Sequence, residues 1–477
     1  MSQRRFIALV FLLALVLRLV PVLLSYRLPI GLDDMFQYDM LARAIVAGHG
    51  YRWYAERDLA LIEPYIAMER PADYDPRGVL TSFRAPGYPA FLALIYAVCG
   101  VGTHRFFAAR LAQAFLGALL APLSGALALG TGFSERAARW AALFVAVFPL
   151  LVIYPLALAS ENLFVPLLAL ALVLTLRAGE RGRARDYALA GLVLGLATLT
   201  RSIVTAFVPL AALWAWWAAR RTGAGNGRSG FRNAALLILC FLLATVPWAV
   251  RNTLLHRQPT WVETSLGYNL YLGYHPQGTG TFQYGISLDL LPILDDAERS
   301  ARGVEAAMQF VWADPGRVPY LMLRKAGYLW KLDSRALIYF YGNGFLGRWP
   351  GWLLGLVLLL AWVPLMVLAP AGAVGLACGP LERRKGLVAL LVVYYTGVHV
   401  LIMAEPRFHV PLLPVVAVLA AYAFTARPWR GSPPWQRGVA IALIALLFAN
   451  WGLALVRDWH TLTALFGPDG TRLGLPY

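Results

Sequence analysis

The stretch FIALVFLLALVLRLVPVLL (residues 6–24) is an apolar run, and GLDDMFQYD (residues 31–39) follows it after a short connection. A membrane-spanning helix needs about 20 apolar residues, so the first stretch is long enough to cross a bilayer. The second stretch lies in a polar segment, residues 28–89, that holds nine of the chain's 25 acidic residues. These nine are Asp33, Asp34, Asp39, Glu56, Asp58, Glu63, Glu69, Asp73 and Asp75. An acidic segment directly after a span predicts that functional groups gather at one membrane surface.

Composition indicates a membrane protein throughout. Hydrophobic residues make up 59% of the 477 residues and charged residues 14%, against roughly 25% charged residues in soluble domains. The 16 Trp, 22 Tyr and 23 Phe suit aromatic belts at two membrane surfaces. We therefore predict an all-α polytopic membrane protein. Most arginines behind the net charge of +17 lie in short loops between apolar runs, as the positive-inside rule requires, so we expect no nucleic-acid partner.

Eleven apolar runs are candidate spans, and one further run is too short. The eleven are residues 6–24, 106–130, 137–157, 161–178, 186–200, 202–219, 234–250, 350–377, 387–404, 408–426 and 437–456. The run 88–102 has only about 15 residues, which favours an interfacial or re-entrant helix over a span.

The basic clusters decide the topology. They lie at Arg4-Arg5, at Arg136 and Arg139, and within residues 177–185, 220–232, 383–385 and 427–437. If all of them are cytoplasmic, an even number of spans must separate each neighbouring pair, and counting 88–102 as a span would break this rule. We therefore predict about 11 spans, with the N-terminus in the cytoplasm, the C-terminus outside and the first span uncleaved.

This topology divides the chain into five segments and places its polar loops on one side. The segments are a first transmembrane helix (1–24), a first exoplasmic loop with the acidic motif and interfacial helices (25–105), a transmembrane core (106–250), a second exoplasmic loop (251–348) and C-terminal transmembrane helices (349–477). The hairpin 404–407 and the turns at 160–162 and 200–202 face outward with the two loops. We expect an exoplasmic active site in a plasma (inner) membrane, with 289–331 forming amphipathic helices on the surface.

Asp33 and Asp34 are the first candidates for chemistry. Two adjacent carboxylates are costly to keep ionised, which points to a general base, a metal site or an ion relay. The simpler interpretation is a solvated pair with Asp34 starting the helix that follows. Their position beside a span favours a functional role. We expect no cofactor, but a divalent cation held by Asp33 and Asp34 stays open because adjacent carboxylates suit a hard cation.

Histidine and cysteine positions predict neither a zinc site nor a disulfide. The histidines considered as ligands, His49, His275 and His409, lack the spacing of a metal-binding motif. The cysteines, Cys99, Cys240 and Cys378, lie in or beside apolar runs without paired spacing, which predicts buried small hydrophobic residues.

Four charged residues interrupt apolar sequence on the predicted outer side. Glu161 and Arg201 are each flanked by long apolar runs, and Arg407 separates two spans. Arg84 precedes Pro-Gly-Tyr-Pro, so it lies on an extended segment that enters the short helix. Charges at membrane edges are costly unless they are paired or functional. The alternative for Arg84 is a side chain that extends to the membrane–water interface without a functional role. The alternative for Glu161 is a structural ion pair with an arginine.

Together, Arg84, Arg201 and Arg407 predict three guanidinium groups at one exoplasmic cleft. A lipid-linked phosphate or pyrophosphate leaving group requires such groups, because its negative charge grows as the bond to the sugar breaks. Asp33, Asp34 and Glu161 are then the catalytic candidates. Aromatic, amide and basic side chains nearby are candidates for substrate binding: Tyr38, Tyr88, Arg251, Asn252 and His275. An ordinary aromatic-lined loop at a membrane surface has the same composition.

Several short motifs, taken in order, are similar to those of a known family. They are GLDD (31–34) with Tyr38, GHGY (48–51), RAPGYP (84–89), Arg110-Leu111, SENLF (160–164), the run 191–201 ending in LTR, PWAVRN (247–252) and EPRFHVP (405–411). The chain resembles the bacterial branch of glycosyltransferase family 39, whose relatives are the dolichyl-phosphate-mannose–protein mannosyltransferases and the aminoarabinose transferase acting on lipid A. The resemblance covers most of the chain to about residue 425.

The resemblance implies the GT-C membrane fold and an inverting transfer of a sugar from a polyprenyl-phosphate donor. It implies that Asp33 is a base or an acceptor-orienting carboxylate and that Arg84 and Arg201 hold the donor phosphate. Glu161 corresponds to a second acidic position near the acceptor, which is a lipid, a glycan or a protein. The chain departs from eukaryotic members, which have Asp-Glu in place of Asp33-Asp34, and from the aminoarabinose branch, where the basic positions are often Lys.

Three other functions fit parts of the sequence. A transporter or flippase of a lipid-linked sugar would show internal repeats and charges near the bilayer midplane, and neither is visible here. A non-catalytic scaffold would leave the carboxylates solvated. An oligosaccharide transferase with a diphosphate donor would depend more on paired arginines than on Asp33. In every case membrane lipids are partners.

Overall fold

The protein is described by a computed structural model that covers residues 2–65, 73–221, 227–333 and 335–473. Of the nine acidic residues in the polar segment, Glu69 lies outside the described residues. The rest of the segment folds into short helices and one pair of short strands. The strands β1 (Arg52–Trp53) and β2 (Val79–Leu80) are antiparallel.

Helices make up most of the described chain. The first eleven are α1 (Gln3–Leu24), α2 (Asp34–Val46), α3 (Glu56–Ile62), α4 (Gly87–Cys99), α5 (Arg105–Gly130), α6 (Glu135–Val147), α7 (Pro149–Ile153), α8 (Glu161–Arg181), α9 (Ala184–Thr200), α10 (Phe207–Arg221) and α11 (Gly227–His256). They are followed by α12 (Ser265–Tyr274), α13 (Tyr284–Ser287), α14 (Asp296–Ala313), α15 (Arg317–Leu329), α16 (Arg335–Gly342), α17 (Gly351–Ala377), α18 (Arg383–Leu401), α19 (Leu413–Ala426), α20 (Pro434–Arg457) and α21 (Trp459–Phe466). Short 3-10 helices lie at Tyr154–Leu156, Ser202–Val204, Pro406–Leu412 and Pro428–Gly431.

Eight helices of the described chain are long and apolar enough to cross a membrane. They are α1, α5, α8, α11, α17, α18, the segment Pro406–Ala426 that contains α19, and α20. Helix α6 and the segment Pro149–Leu156 form a ninth candidate, which is bent by 53°. The two remaining predicted runs form α9 and α10, of 17 and 15 residues. The predicted all-α membrane fold is confirmed, and α4, with 13 residues, is too short to cross.

A fully buried arginine, Arg18, stabilises the bend between α6 and α7. Helix α6 ends before Pro149, which has no N–H to donate, so carbonyl groups in its last turn lose their partners. Arg18 on α1 donates to the carbonyl oxygens of Val145 and Ala146, both at 3.0 Å. An arginine inside a span costs roughly 2.5–3.5 kcal/mol. Charge-assisted hydrogen bonds of about 1.5–3 kcal/mol each offset this cost.

A second buried arginine, Arg110 on α5, joins two polar segments. Its guanidinium donates to the carbonyl oxygens of Leu28 and Pro29, which lead into the acidic motif. It also donates to the carbonyl of Leu156, which ends the bent segment before α8, at 2.8 Å. Non-helical backbone at membrane depth is tolerated only where protein donors satisfy it. Arg110 therefore sets the distance between the start of α2 and the start of α8.

The first loop is anchored by a buried carboxylate, Asp39 on α2. Asp39 is 1% exposed and receives hydrogen bonds from Arg43 and Arg105, both at 2.7 Å, and from Tyr96 at 3.0 Å. A charge this deeply buried needs such partners, because desolvation costs several kcal/mol (order of magnitude) per ion. The network fixes α2 against α4 and α5.

The second loop packs on the first through α14. Asp296, the first residue of α14, accepts hydrogen bonds from the Ser82 N–H at 2.7 Å and from the Thr81 hydroxyl at 2.5 Å. The guanidinium of Arg299 lies 5.4 Å from the ring centre of Trp53, a core residue of the first loop. The two polar loops are therefore packed together.

The cysteines follow the expectation of burial only in part. All three are free, Cys378 is buried and Cys240 is partly exposed. The prediction was wrong for Cys99, which is exposed at the end of α4. This short helix packs on one face only, so its end is not enclosed.

Candidate active site

Asp33 caps helix α2 and is only partly exposed. Its Oδ1 accepts a hydrogen bond from the Met35 N–H at 2.8 Å, which satisfies one free donor at the helix start. Burial, together with the charge of Asp34, raises the pKa of the Asp33 carboxyl to about 6, although hydrogen bonds with Tyr339 and the Met35 N–H lower it. Asp33 is therefore both a helix cap and a group that can exchange a proton near neutral pH.

Asp34 lies between two guanidinium groups. One carboxylate oxygen accepts from Arg84, and the other accepts from Nη2 of Arg407 at 2.6 Å. Burial alone would raise the pKa of Asp34, but the two arginine charges outweigh it and hold this pKa well below its usual range. The two adjacent carboxyls are thus pushed apart in pKa, an arrangement typical of one proton-transfer group beside one fixed charge.

Glu161 and Arg201 form a second ion pair, at 2.5 Å. Glu161 is the first residue of α8 and Arg201 follows the last residue of α9, so the pair joins two helix ends. The Ser160 hydroxyl accepts from Arg201 at 3.4 Å and from the Tyr38 hydroxyl at 3.3 Å. This bridge connects the pair to α2 and to the acidic motif.

The three predicted phosphate-binding arginines lie together. Arg84 and Arg407 bind the same carboxylate, and the charge of Arg201 also acts on Asp34. The side chains of Arg84, Arg201 and Arg407 keep 22%, 19% and 14% of their surface exposed, so none of them is fully enclosed. A guanidinium in this situation has N–H donors left for a phosphate oxygen.

Close backbone packing brings Arg84 and Arg201 together. A methyl group on Gly87, at the start of α4, would lie 2.8 Å from the Thr200 hydroxyl and 2.9 Å from the Leu199 carbonyl. Both distances are too short for a Cβ atom, so glycine is needed for this approach. The segment after Arg84 therefore rests directly against the end of α9.

Glu263 joins the same two segments and was not a candidate from the sequence. One of its oxygens accepts from the Ala85 N–H at 3.2 Å, and the other accepts from the Ser202 hydroxyl. Ala85 and Ser202 directly follow Arg84 and Arg201. The only signal in the sequence is a single acid in WVET (261–264), which does not say what the acid contacts.

Tyr339 on α16 reaches the acidic motif from the second loop. Its hydroxyl hydrogen-bonds the carboxyl of Asp33. A methyl group on Gly31 would lie 1.8 Å from the Tyr339 hydroxyl oxygen, so glycine leaves the space that Tyr339 occupies. The sequence contained no signal for this contact because the two residues are far apart in the chain.

Of the predicted substrate-binding residues, two lie at the site. Tyr38 and Tyr88 pack edge to face with their ring centres 4.9 Å apart. The guanidinium of Arg84 lies 5.6 Å from the ring centre of Tyr38. Tyr88 is fully buried and bonds Gln113 of α5, so it supports Tyr38 from behind.

Two further predicted substrate-binding residues hold backbone segments of the loops. Arg251 donates to the Thr81 carbonyl at 2.6 Å, and Asn252 donates to the Trp261 carbonyl at 2.7 Å. Arg251 also donates to Asn252 Oδ1 at 3.0 Å. These contacts position the chain on both sides of Arg84 and Glu263.

The last predicted substrate-binding residue, His275, is placed apart from the arginines. It follows α12, and its ring packs against Tyr271 and Phe310, with centres 5.1 and 5.4 Å apart. The charges that act on it are those of Asp289 and Arg317 in the second loop. The structure does not bring it to Asp34.

The cation hypothesis meets an obstacle at Asp34. Both of its oxygens are engaged by arginines, so a divalent cation would have to displace at least one guanidinium. In the described part of the chain, no three His, Cys, Asp or Glu residues are grouped so that they could hold a metal ion. Cation binding by Asp33 and Asp34 stays a hypothesis for experiment.

Sequence comparison matches one part of the chain to a family. Residues 84–250 match the family model described as dolichyl-phosphate-mannose-protein mannosyltransferase. The matched region includes Arg84, Glu161 and Arg201, whereas Asp33 and Arg407 lie outside it. No curated protein matches the chain significantly.

Solved structures that match the chain include one protein from Archaeoglobus fulgidus and one from Cupriavidus metallidurans. The oligosaccharyltransferase AglB of Archaeoglobus fulgidus, in complex with an inhibitory peptide and a dolichol-phosphate, is 14% identical, with a TM-score of 0.50 over 99% of this chain and 60% of that chain. Its apo form is 15% identical, with a TM-score of 0.51 over 100% of this chain and 61% of that chain. ArnT from Cupriavidus metallidurans bound to undecaprenyl phosphate is 15% identical over 90% of this chain and 79% of that chain. Its TM-score of 0.38 is too low to support an argument.

The chain spans about 60% of the length of the archaeal enzyme, so that likeness concerns the fold alone. The family match covers the arginine and glutamate motifs in the middle of the chain. The resemblance predicted from the motifs is confirmed for these matched residues, 84–250. The chain is a multi-pass, all-α membrane protein whose residues 84–250 are similar to the protein mannosyltransferases and whose fold is similar to that of the archaeal enzyme.

Proposed function

We propose that the protein transfers a sugar from a polyprenyl-phosphate donor to a hydroxyl group of an exoplasmic lipid, glycan or protein. The proposal is carried by one observation, the gathering of three guanidinium groups around the motif Asp33-Asp34, where burial raises the pKa of the Asp33 carboxyl to about 6. Proton transfer near neutral pH needs the carboxyl, and a phosphate leaving group needs the cations. The fold agrees with this, since AglB is described with a bound dolichol-phosphate.

In this mechanism Asp33 is the base. Its carboxylate accepts the proton of the acceptor hydroxyl while the hydroxyl oxygen attacks the anomeric carbon of the donor. The bond between that carbon and the phosphate oxygen breaks, and polyprenyl phosphate leaves with the electron pair. A single displacement of this kind inverts the anomeric configuration.

The arginines stabilise the departing phosphate. Arg84, Arg201 and Arg407 donate to its oxygens, where negative charge grows in the transition state. Asp34 keeps Arg84 and Arg407 aligned and shares them with the phosphate. Glu161 orients Arg201 through their ion pair at 2.5 Å.

A diphosphate donor is the second candidate, and the third guanidinium favours it. Two arginines are enough for the bidentate recognition of one phosphate, whereas Arg84, Arg201 and Arg407 together also suit a pyrophosphate. Such a donor would make the protein an oligosaccharide transferase. The donor panel below separates the two candidates.

The proposal places the site on the exoplasmic face of the plasma (inner) membrane. The basic clusters at 383–385 and 427–437 lie at the helix ends opposite Arg407, which agrees with a cytoplasmic position of those clusters. The donor and acceptor then meet at the outer surface.

The test follows release of polyprenyl phosphate by purified protein in nanodiscs. A panel of polyprenyl-phosphate and polyprenyl-diphosphate sugars is offered with candidate acceptor extracts, with and without EDTA. We expect turnover of a monophosphate donor by the wild type. We expect Asp33→Asn to lower kcat by about 100-fold or more, because general base catalysis contributes that much.

Five outcomes distinguish the hypotheses. If the wild type turns over in EDTA, the reaction needs no chelatable cation. If EDTA by itself abolishes turnover of the wild type, Asp33 and Asp34 are better interpreted as metal ligands. Full activity of Asp33→Asn contradicts the assigned base. Consumption of diphosphate donors alone supports the oligosaccharide transferase. If no donor is consumed with any acceptor, the proposed transfer is refuted.

A further inference from the structure

We propose that a surface corner formed by α15 and the end of α20 binds the headgroup of an anionic phospholipid. The corner, which we call the α15–α20 corner, is defined by Arg324, Tyr328 and Arg457. It uses none of the residues assigned to sugar transfer, so it does not depend on the proposed function. Its ligand is a membrane lipid that is not consumed.

The α15–α20 corner lies at the membrane–water boundary. Helix α20 is a candidate span that ends at Arg457, and the ends of spans lie at the level of the lipid headgroups. Asn450 on α20 donates to the Gly327 carbonyl at 2.9 Å, and Lys331 pairs with Asp458. These contacts fix the end of α15 beside the end of α20, at the same level.

Two arginines in the corner have no acidic partner among the residues that the structure describes. The guanidinium carbons of Arg324 and Arg457 lie 5.3 and 5.5 Å from the ring centre of Tyr328. Arg324 donates to the Tyr328 hydroxyl at 2.6 Å, and its buried Nε atom has no hydrogen-bond acceptor. Within the described residues, neither arginine forms an ion pair with a carboxylate. The neighbouring Lys331, by contrast, is paired with Asp458.

The electrostatic effect of the two arginines is visible at the phenol between them. Burial would raise the pKa of Tyr328, but its hydrogen bonds with Thr279 and Arg324 and the two arginine charges lower it. A site that stabilises negative charge on a phenol also favours the phosphate of a bound lipid. Arginine forms bidentate hydrogen bonds with phosphate, which suits this ligand.

Apolar side chains around the cations indicate a lipid in preference to a soluble anion. Tyr320 and Leu323 on α15 are 52% and 75% exposed, and Val456 and Trp459 at the end of α20 are 76% and 62% exposed. Val456 lies on α20, a candidate span, and Trp459 follows its end. Acyl chains would cover these apolar side chains while the phosphate meets the arginines, as at other basic membrane-surface sites. A free phosphate would leave the apolar side chains uncovered.

The test measures the thermal unfolding midpoint of the full chain in a neutral detergent. It is titrated with dioctanoyl phosphatidylglycerol, with dioctanoyl phosphatidylcholine or with inorganic phosphate. We expect a saturable rise of the midpoint with phosphatidylglycerol only. One arginine near a membrane surface contributes about fivefold in affinity, so Arg457→Gln weakens the apparent Kd about fivefold and Arg324→Gln with Arg457→Gln weakens it about thirtyfold.

The control removes the same charge elsewhere. Arg77→Gln with Arg302→Gln deletes two exposed arginines of the loops that are paired with Asp75 and Glu298. This control should keep the affinity of the wild type. Arg457 is exposed and forms no hydrogen bond with another described residue, so the Arg457→Gln variant tests the corner even if the double variant does not fold.

Three results would overturn the proposal. The first is an unchanged phosphatidylglycerol affinity in Arg457→Gln and in the double variant. It would mean that the two guanidinium groups contact water at the interface and do not bind the lipid headgroup. The second is an equal loss in the control, which would indicate a general charge effect. The third is the same rise with inorganic phosphate, which would assign the corner to a free anion.

Discussion

At the scale of single residues, the site depends on the different surroundings of two neighbouring carboxyls. Asp33 lies outside the helix as its cap, and Asp34 is the first helical residue, so their side chains leave the backbone in different directions. Asp33 faces Tyr339, whereas Asp34 faces Arg84 and Arg407. One carboxyl therefore titrates near neutral pH and the other remains ionised.

The pH profile of the reaction tests the role of Asp33. Its carboxylate is a base only when ionised, and its pKa is raised to about 6, so kcat/KM should fall below about pH 6. The Tyr339 hydroxyl lowers this pKa, so Tyr339→Phe should raise it and move the acid limb about one unit to higher pH. The measurement is kcat/KM between pH 5 and 8.5.

A matched control for this variant lies on the same helix. Tyr341 is buried and packs against Trp349, so Tyr341→Phe should leave the acid limb where it is in the wild type. An acid limb that stays in place in Tyr339→Phe, or moves to lower pH, would contradict the assigned hydrogen bond to Asp33.

Asp34→Asn tests whether this carboxylate competes with the phosphate. The substitution frees Arg84 and Arg407 from a negative charge, so polyprenyl phosphate should bind about tenfold more tightly as an inhibitor. Product inhibition constants measure the change, with Asp289→Asn, an exposed carboxylate of the second loop, as the control. Weaker inhibition would mean that Asp34 chiefly aligns the two arginines.

At the scale of secondary-structure elements, the site is assembled from helix ends. Asp34 begins α2, Glu161 begins α8 and Arg201 follows α9, while Arg84 lies just before α4. Helix ends leave backbone groups unpaired and turn the chain, which lets side chains from separate helices meet. Arg110 holds the first two ends together, and Glu263 holds the last two.

Glu263→Ala tests whether the spacing of Arg84 and Arg201 depends on Glu263. Loss of its two hydrogen bonds should loosen both arginine segments and raise the KM for the donor about tenfold, with a smaller change in kcat. Glu263→Gln keeps one acceptor oxygen, so it should restore part of the affinity. Glu305→Gln on the exposed face of α14 serves as the control.

Thermal unfolding separates positioning from general destabilisation. The midpoint of Glu263→Ala should stay close to that of the wild type, because Glu263 is only partly buried. A fall in kcat as large as the rise in KM, together with a lower unfolding midpoint, would contradict this role. It would show that Glu263 stabilises the fold and does not set the spacing of the arginines.

At the scale of the whole molecule, the two polar loops and the segment Pro406–Leu412 meet on one side of the helices. Arg407 from this segment reaches Asp34 of the first loop, and Tyr339 of the second loop reaches Asp33. Which side of the membrane this is remains a prediction from the basic clusters.

Cysteine labelling in intact cells tests the orientation. In a background without Cys99, Cys240 and Cys378, we expect Glu298→Cys on α14 to react with a membrane-impermeant maleimide. Ser2→Cys at the N-terminus should react only after the membrane is permeabilised. The reverse pattern would place the site in the cytoplasm and refute the predicted topology.

Much of this architecture could be predicted because the signals are local. The eleven apolar runs all form helices, and the short run around α4 is too short to span, since length and hydrophobicity are properties of continuous sequence. Isolated charges between apolar runs pointed to Arg84, Glu161, Arg201 and Arg407 for the same reason. The bend of 53° after α6 was not predicted, because the run 137–157 is continuously apolar across Pro149.

The sequence by itself determined the class of fold, the approximate positions of the long apolar helices and the candidates for chemistry, because each follows from a short stretch of chain. Only the tertiary structure decided that Asp34 pairs with Arg84 and Arg407, that Tyr339 meets Asp33 and that His275 lies elsewhere. These outcomes depend on distances between residues that are remote in sequence. The separation of the two carboxyl pKa values has the same origin, since burial and neighbouring charge exist only in the folded chain.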